Sequence, residues 1–108
     1  MNNRELRIKA ASFLQATKDR ITEIPRVEIE SWPNYPATPP LSLDIPPELS
    51  SFQFTLMKDT FPDGRIRIAI QSYQYRFLGF GYMNADGFIL AKDGSHVPLT
   101  EQDMWDLT

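Results

Sequence analysis

Apolar positions at the start of the chain recur at helical spacing. Leu6, Ala10, Phe13, Leu14, Ile21 and Ile24 fall on one side of a 3.6-residue repeat, and Arg4, Arg7, Lys18 and Asp19 fall largely elsewhere. The pattern predicts an amphipathic helix over 3–23. Asn2 or Asn3 caps its start, because a short polar side chain accepts from the free N–H groups of a first turn. Pro25 ends it. Burying Phe13, Leu14 or Ile21 is worth roughly 1.5–3 kcal/mol each, so this helix belongs on a sheet or on a partner.

The pattern changes over 25–50, where seven of the nine prolines lie: Pro25, Pro33, Pro36, Pro39, Pro40, Pro46 and Pro47. Proline lacks the N–H that a ladder needs, which argues against a central strand. The stretch reads as a Pro-rich extended arm, partly polyproline-like, that wraps the domain. Val27 and Ile29 alternate with Glu28 and Glu30, which predicts a short edge strand with charges guarding it against aggregation. Leu41, Leu43 and Ile45 alternate too, and Trp32 and Tyr35 are large anchors.

A two-residue period takes over at 51–99 and predicts an antiparallel β-meander of about four to six strands. Phe52, Phe54 and Leu56 share one face of the first strand. Phe61-Pro62-Asp63-Gly64 is a turn, with proline at its second position and glycine at its fourth. Ile66, Ile68 and Ile70 then face inward. Beyond them the even positions turn polar (Ser72, Gln74, Arg76) and the odd ones aromatic (Tyr73, Tyr75, Phe77). This change of face predicts a bulge, a bend or two-sided burial near Gln71–Tyr73. Leu78, Phe80 and Tyr82 share a face opposite bare Gly79 and Gly81, an arrangement that permits a curved sheet or close approach of another backbone. Asn84-Ala85-Asp86-Gly87 reads as the next turn. A final hairpin follows, with Lys92-Asp93-Gly94-Ser95 at its tip and Pro98 placing its last strand at an edge. Thr100 caps a short helix over 100–107, with Asp103 at the capping-box position and Met104, Trp105 and Leu107 on its apolar side. The fold class expected for 1–108 is α+β in one domain, with the N-terminal helix packed on the sheet.

Composition narrows the chemistry. The chain has 108 residues, a net charge of −3 and no cysteine. Disulfides, thiol nucleophiles and Cys-based zinc sites are excluded, and a reducing cytoplasm is the expected setting. The opening residues alternate charge and apolar character without a signal-peptide core. No apolar run approaches the roughly 18–20 residues of a membrane span. The net charge disfavours binding to nucleic acid, whose phosphates call for a basic excess. Charge is unevenly spread, however. Residues 65–76 hold Arg65, Arg67 and Arg76 without an acid, and 77–108 hold five acids and one lysine.

No catalytic, metal or cofactor constellation emerges. His96 is the single histidine and sits after a turn, where a surface role is the ordinary one. Asp86 and Asp93 each stand close to a glycine, which is turn chemistry. Gly79-x-Gly81 lacks the third glycine, the helix and the lysine of a phosphate loop. Pro33-x-x-Pro36 lacks the flanking cation that usually orients such ligands. The aromatic group Tyr73, Tyr75, Phe77, Phe80 and Tyr82, with Arg76, reads as the core of a curved sheet, as a protein contact, since Tyr and Arg are enriched in hot spots, or as a base-stacking surface, which the net charge disfavours.

The reading that follows is a small, non-enzymatic, cytoplasmic binding protein. It covers a partner protein in the manner of bacterial or phage immunity proteins, antitoxins and inhibitors, a comparison that rests on size, acidity and missing chemistry. Glu101, Asp103 and Asp106 around Trp105 would steer it onto a basic surface, and Tyr73, Tyr75, Arg76 and Trp105 would anchor it. One alternative is a small-ligand binder or weak enzyme using a cleft between helix and sheet, with Arg67, Arg76, His96 and the Gly79/Gly81 groove. Another is a structural subunit that self-associates as a homodimer through an edge strand.

Overall fold

Helix α1 runs over Asn3–Thr22, close to the span its periodicity predicts. Asn2 is the cap: its Oδ1 accepts from the Glu5 backbone N–H at 2.8 Å. Ala10, Leu14, Thr17 and Ile21 form its buried stripe, with Leu6 and Phe13 half-buried beside them. The computed structural model describes residues 2–75 and 81–99. It holds α1, a short helix α2 (Arg26–Glu30), a 3-10 turn (Pro47–Leu49) and four strands: β1 (Phe52–Thr60), β2 (Ile66–Tyr75), β3 (Gly81–Leu90) and β4 (His96–Pro98). The strands form one antiparallel sheet in the order β1-β2-β3-β4, and α1 lies across β2 and β3. The architecture is α+β. The helix expected at 100–107 lies outside the described residues, as do Leu78, Gly79 and Phe80.

The main core forms where α1 and α2 meet the even-numbered face of the sheet. Ile66, Ile68 and Ile70 of β2 cluster there with Leu56, Phe88 and Leu90 from neighbouring strands and with Leu14, Ile21, Ile29 and Trp32. A second cluster joins Ala10, Leu49 and Phe52. Leu41 and Leu43 are half-buried against the main core. Their segment is held by Arg20 in the last turn of α1, which bonds the Ser42 carbonyl and pairs with Asp44 at 3.3 Å. The Tyr35 and Ile45 side chains, by contrast, are about half exposed, and Tyr35 is tied to β1 by its backbone N–H, which donates to the Lys58 carbonyl at 2.7 Å.

Two expectations are overturned, and one alternative of a third is removed. Residues 26–30 form a helix, not an edge strand, and Val27 is 75% exposed while Ile29 is buried. The cause is Arg26. Its Nε bonds Glu30 one turn on at 2.7 Å, its Nη1 donates to the Ala91 carbonyl at 2.7 Å, and its Nη2 donates to the Gly64 carbonyl at 2.8 Å. One guanidinium thus joins the β1–β2 and β3–β4 turns to α2, using the fixed fork that distinguishes arginine from lysine. Lys58, buried on β1, holds the other end of α2 by donating to the Trp32 carbonyl at 2.9 Å.

Asn84-Ala85-Asp86-Gly87 is not a turn but the middle of β3, paired with Ser72, Gln71, Ile70 and Ala69. Asp86 serves the helix instead, through an ion pair with Lys18 at 3.2 Å. Gly87 serves close approach: a Cβ there would run into the Ile68 carbonyl and stand 2.9 Å from Ala69 Cα.

There is also no bulge at Gln71–Tyr73. The β1–β2 and β2–β3 registers run without an inserted residue from end to end. The even face stays against α1 and changes only in chemistry, with Ser72 and Gln74 buried after the three isoleucines. Two-sided burial does occur, but earlier, where Arg67 and Ala69 are covered on the odd face.

The two hairpin tips behave as their sequences predict. Gly64 and Gly94 adopt φ of 93° and 90°, which glycine reaches without strain. The Arg65 backbone N–H donates to Asp63 and, with the guanidinium beside it, holds that carboxyl below its ordinary value. The Ser95 hydroxyl and then its N–H do the same for Asp93.

Two measurements test this account. Urea unfolding of Arg26→Lys should show a loss of about 1.5–3 kcal/mol, the worth of hydrogen bonds to a charged group, because an ammonium cannot reach all three acceptors. Ser72 Oγ is buried and has no hydrogen-bond partner among the described residues. Ser72→Ala should therefore gain about 1 kcal/mol, since it removes a desolvated hydroxyl and breaks no bond. A loss for Ser72→Ala would contradict that environment.

Candidate functional site

The second face of the sheet carries the odd-numbered residues, and pairing arranges them in rows across β1, β2 and β3. At one end are Asp59, Arg67 and Ile89, then Met57, Ala69 and Gly87. These rows are mostly buried, and Leu99, just past β4, packs on Met57 and Ala69. Arg67 meets Asp59 at 3.0 Å over the Phe61 ring. The next rows are Thr55, Gln71 and Ala85; then Gln53, Tyr73 and Met83; then Tyr75 and Gly81. None of these eight residues carries a charge. Here the face opens to solvent, with Tyr75 66% exposed and Met83 41%.

Local contacts partly cover this open end. A Cβ on Gly81 would collide with the outer end of the Tyr73 ring. The glycine therefore leaves room for the tyrosine to lie across its neighbouring strand, a familiar way of covering a strand glycine. The Gln71 amide donates to the Met83 thioether. The outer edge of β3 is closed in its own fashion. Period two turns the N–H groups of Ala85 and Gly87 toward the β4 side, yet β4 pairs only with Phe88, Ile89 and Leu90. Asn84 Oδ1 takes the Ala85 N–H at 2.9 Å, and Asp86 Oδ1 takes the Gly87 N–H at 2.8 Å.

Of the residues singled out from sequence, Tyr73 and Tyr75 lie together on this open face. Arg76, Glu101, Asp103, Trp105 and Asp106 lie outside the described residues. Alternation alone did not single out Gln53, Thr55, Gln71 and Met83, because the strand register that sets them beside the tyrosines joins distant stretches of chain. The helix–sheet cleft does not assemble from the residues proposed for it. Arg67 is on the odd face, and His96 is on the even one, edge-on to the Phe88 ring at 5.0 Å. Nor is the arginine-bearing strand a basic stripe: Arg65 pairs with Asp63 and Arg67 with Asp59. Among the described residues no three His, Cys, Asp or Glu side chains gather as a metal site, and no helix is long and apolar enough to cross a membrane.

A second surface feature escaped the sequence reading. Arg4, Arg7, Ile8 and Ala11 of α1 and Tyr82 of β3 line an open groove of about 430 Å³. The Arg7 guanidinium lies 4.4 Å from the Tyr82 ring centre, and its Nε donates to Gln74 Oε1 at 3.4 Å.

No family model, no curated protein and no solved structure matches this chain.

The two strand glycines should respond differently to alanine. Gly81→Ala displaces only a side-chain end, and the gain in strand backbone entropy, about 0.5–1 kcal/mol, offsets lost ring packing. Its stability should stay within about 1 kcal/mol of wild type while the Tyr73 ring resonances shift. Gly87→Ala presses on backbone and should cost about 1–3 kcal/mol in urea unfolding.

Proposed function

We propose that this chain is a non-enzymatic protein-binding module whose contact surface is the open end of the odd sheet face. One observation carries the reading: eight adjoining positions without a charge, centred on half-covered Tyr73 and exposed Tyr75 and Met83. Tyrosine and methionine are enriched at interface centres, and charged residues are depleted there. The supporting contacts at Gly81 and Gln71 favour a surface ordered before binding, which lowers the entropic cost of association.

The wider picture keeps the comparison with immunity proteins, antitoxins and phage inhibitors in a reducing cytoplasm. Glu101, Asp103 and Asp106 steer the module toward a basic partner, and Trp105 adds an anchor. Self-association by strand pairing at the β3 edge has less support, because the N–H groups of Ala85 and Gly87 there already have acceptors. A ligand cleft has less support as well, since Arg67 and His96 are on opposite faces.

Tyr75→Arg and Met83→Lys place charges on the open face without touching the main core. Cross-linked capture from native lysate should yield a discrete partner with the wild-type protein. Its affinity should fall at least about tenfold in each variant, a loss of about 1.4 kcal/mol, with the circular dichroism spectrum unchanged. Partner binding that survives both substitutions would sink the proposal.

A further inference from the structure

The groove beside α1 holds the two arginines that, among the described residues, have no acid beside them. Arg20, Arg26, Arg65 and Arg67 each pair with a carboxylate, at 2.7–3.3 Å. Lys9, two residues beyond Arg7, pairs with Glu48. Among the described arginines only Arg4 and Arg7 have no carboxylate, and this in a chain whose net charge is −3. Both line the same groove. Their spacing of three places them as neighbours on one side of the helix.

Arg7 is also held in position. Its guanidinium carbon lies over the Tyr82 ring, and buried Gln74 takes its Nε–H. Its two Nη groups have no protein acceptor among the described residues. A planar fork fixed in this way matches an oxyanion that accepts two hydrogen bonds. Next to the forks lies an apolar strip, Ala11 and Ile8, the latter 59% exposed. An exposed isoleucine adds nothing to the binding of inorganic phosphate or a nucleic-acid backbone. It suits a carboxylate with an apolar side chain beside it.

We infer that this groove binds an acidic segment of a partner protein, with an Asp or Glu carboxylate on Arg7 and Arg4 and an adjacent apolar side chain on Ile8 and Ala11. The site is separate from the open tyrosine face, so substitutions at the two surfaces test the two readings independently.

The test is selection of a random phage-displayed peptide library on the intact protein, followed by affinity measurement on the enriched peptides as free synthetic chains. Enriched sequences should place Asp or Glu next to Leu, Ile, Val or Phe. Their binding should weaken at least tenfold in Arg7→Gln and in Arg7→Lys, which keeps the charge but loses the fork. Arg4→Gln, at an exposed residue, should weaken it without disturbing the fold, and Tyr75→Arg should leave it unchanged. The inference is overturned if no acidic–apolar sequences are enriched, or if they bind Arg4→Gln and Arg7→Gln as well as wild type. It is equally overturned if inorganic phosphate or a single-stranded RNA oligonucleotide binds the groove arginines and displaces the peptides at lower concentration than a free dicarboxylate.

Discussion

Ile66, Ile68 and Ile70 project from a central strand onto Leu14, Ile21, Leu56 and Phe88, and everything else in the fold is placed relative to that ladder. A strand shows its side chains alternately to two faces, so fixing three isoleucines against the helix fixes where every other residue of the strand goes. Pairing carries the assignment outward to β1 and β3. A slip of one residue would turn the isoleucines away from the helices and bring Arg67 and Tyr73 under α1. The difference between those two arrangements helps hold the register through Ser72 and Gln74, where β2 itself adds no apolar side chain to the even face and Phe52, Phe54 and Tyr82 of its neighbours supply the cluster instead.

Much of this was legible in the sequence because it is local. The helix shows its stripe and its cap, the isoleucine strand shows its alternation, and Pro62-Asp63-Gly64 shows its turn. What escaped was decided across long separations. Residues 26–30 are too few for a helical period to declare itself, and Val27 with Ile29 also fits a strand; the acceptors that settle the matter are 38 and 65 residues away. Asn84 to Gly87 has the composition of a turn, but each residue answers a cross-strand or helix neighbour. The apparent change of face after Ile70 was a change in residue type on an unchanged face. As for the candidate sites, the tyrosines were visible, while their uncharged setting and the Arg4–Arg7 groove depend on which strands lie side by side.

The two candidate surfaces differ in physical kind. The open sheet end offers neutral, partly aromatic area whose value comes from removal from water. The groove offers directed charge, whose value depends on ionic strength and on the geometry of the acceptor. They lie on opposite sides of the sheet, since Tyr73 and Tyr75 are on the odd face and Tyr82 is on the even face with α1.

Hairpin tips are usually where a chain tolerates added length, because they are exposed and touch little. Arg26 removes that freedom from the β1–β2 and β3–β4 tips. The carbonyls of Gly64 and Ala91 are acceptors for one rigid guanidinium, so the distance between the two turns is part of the design of the fold. A tag, a loop graft or a circularly permuted terminus placed at either turn would not be a silent change. It would loosen α2, and with it the cover that Ile29 and Trp32 give the main core.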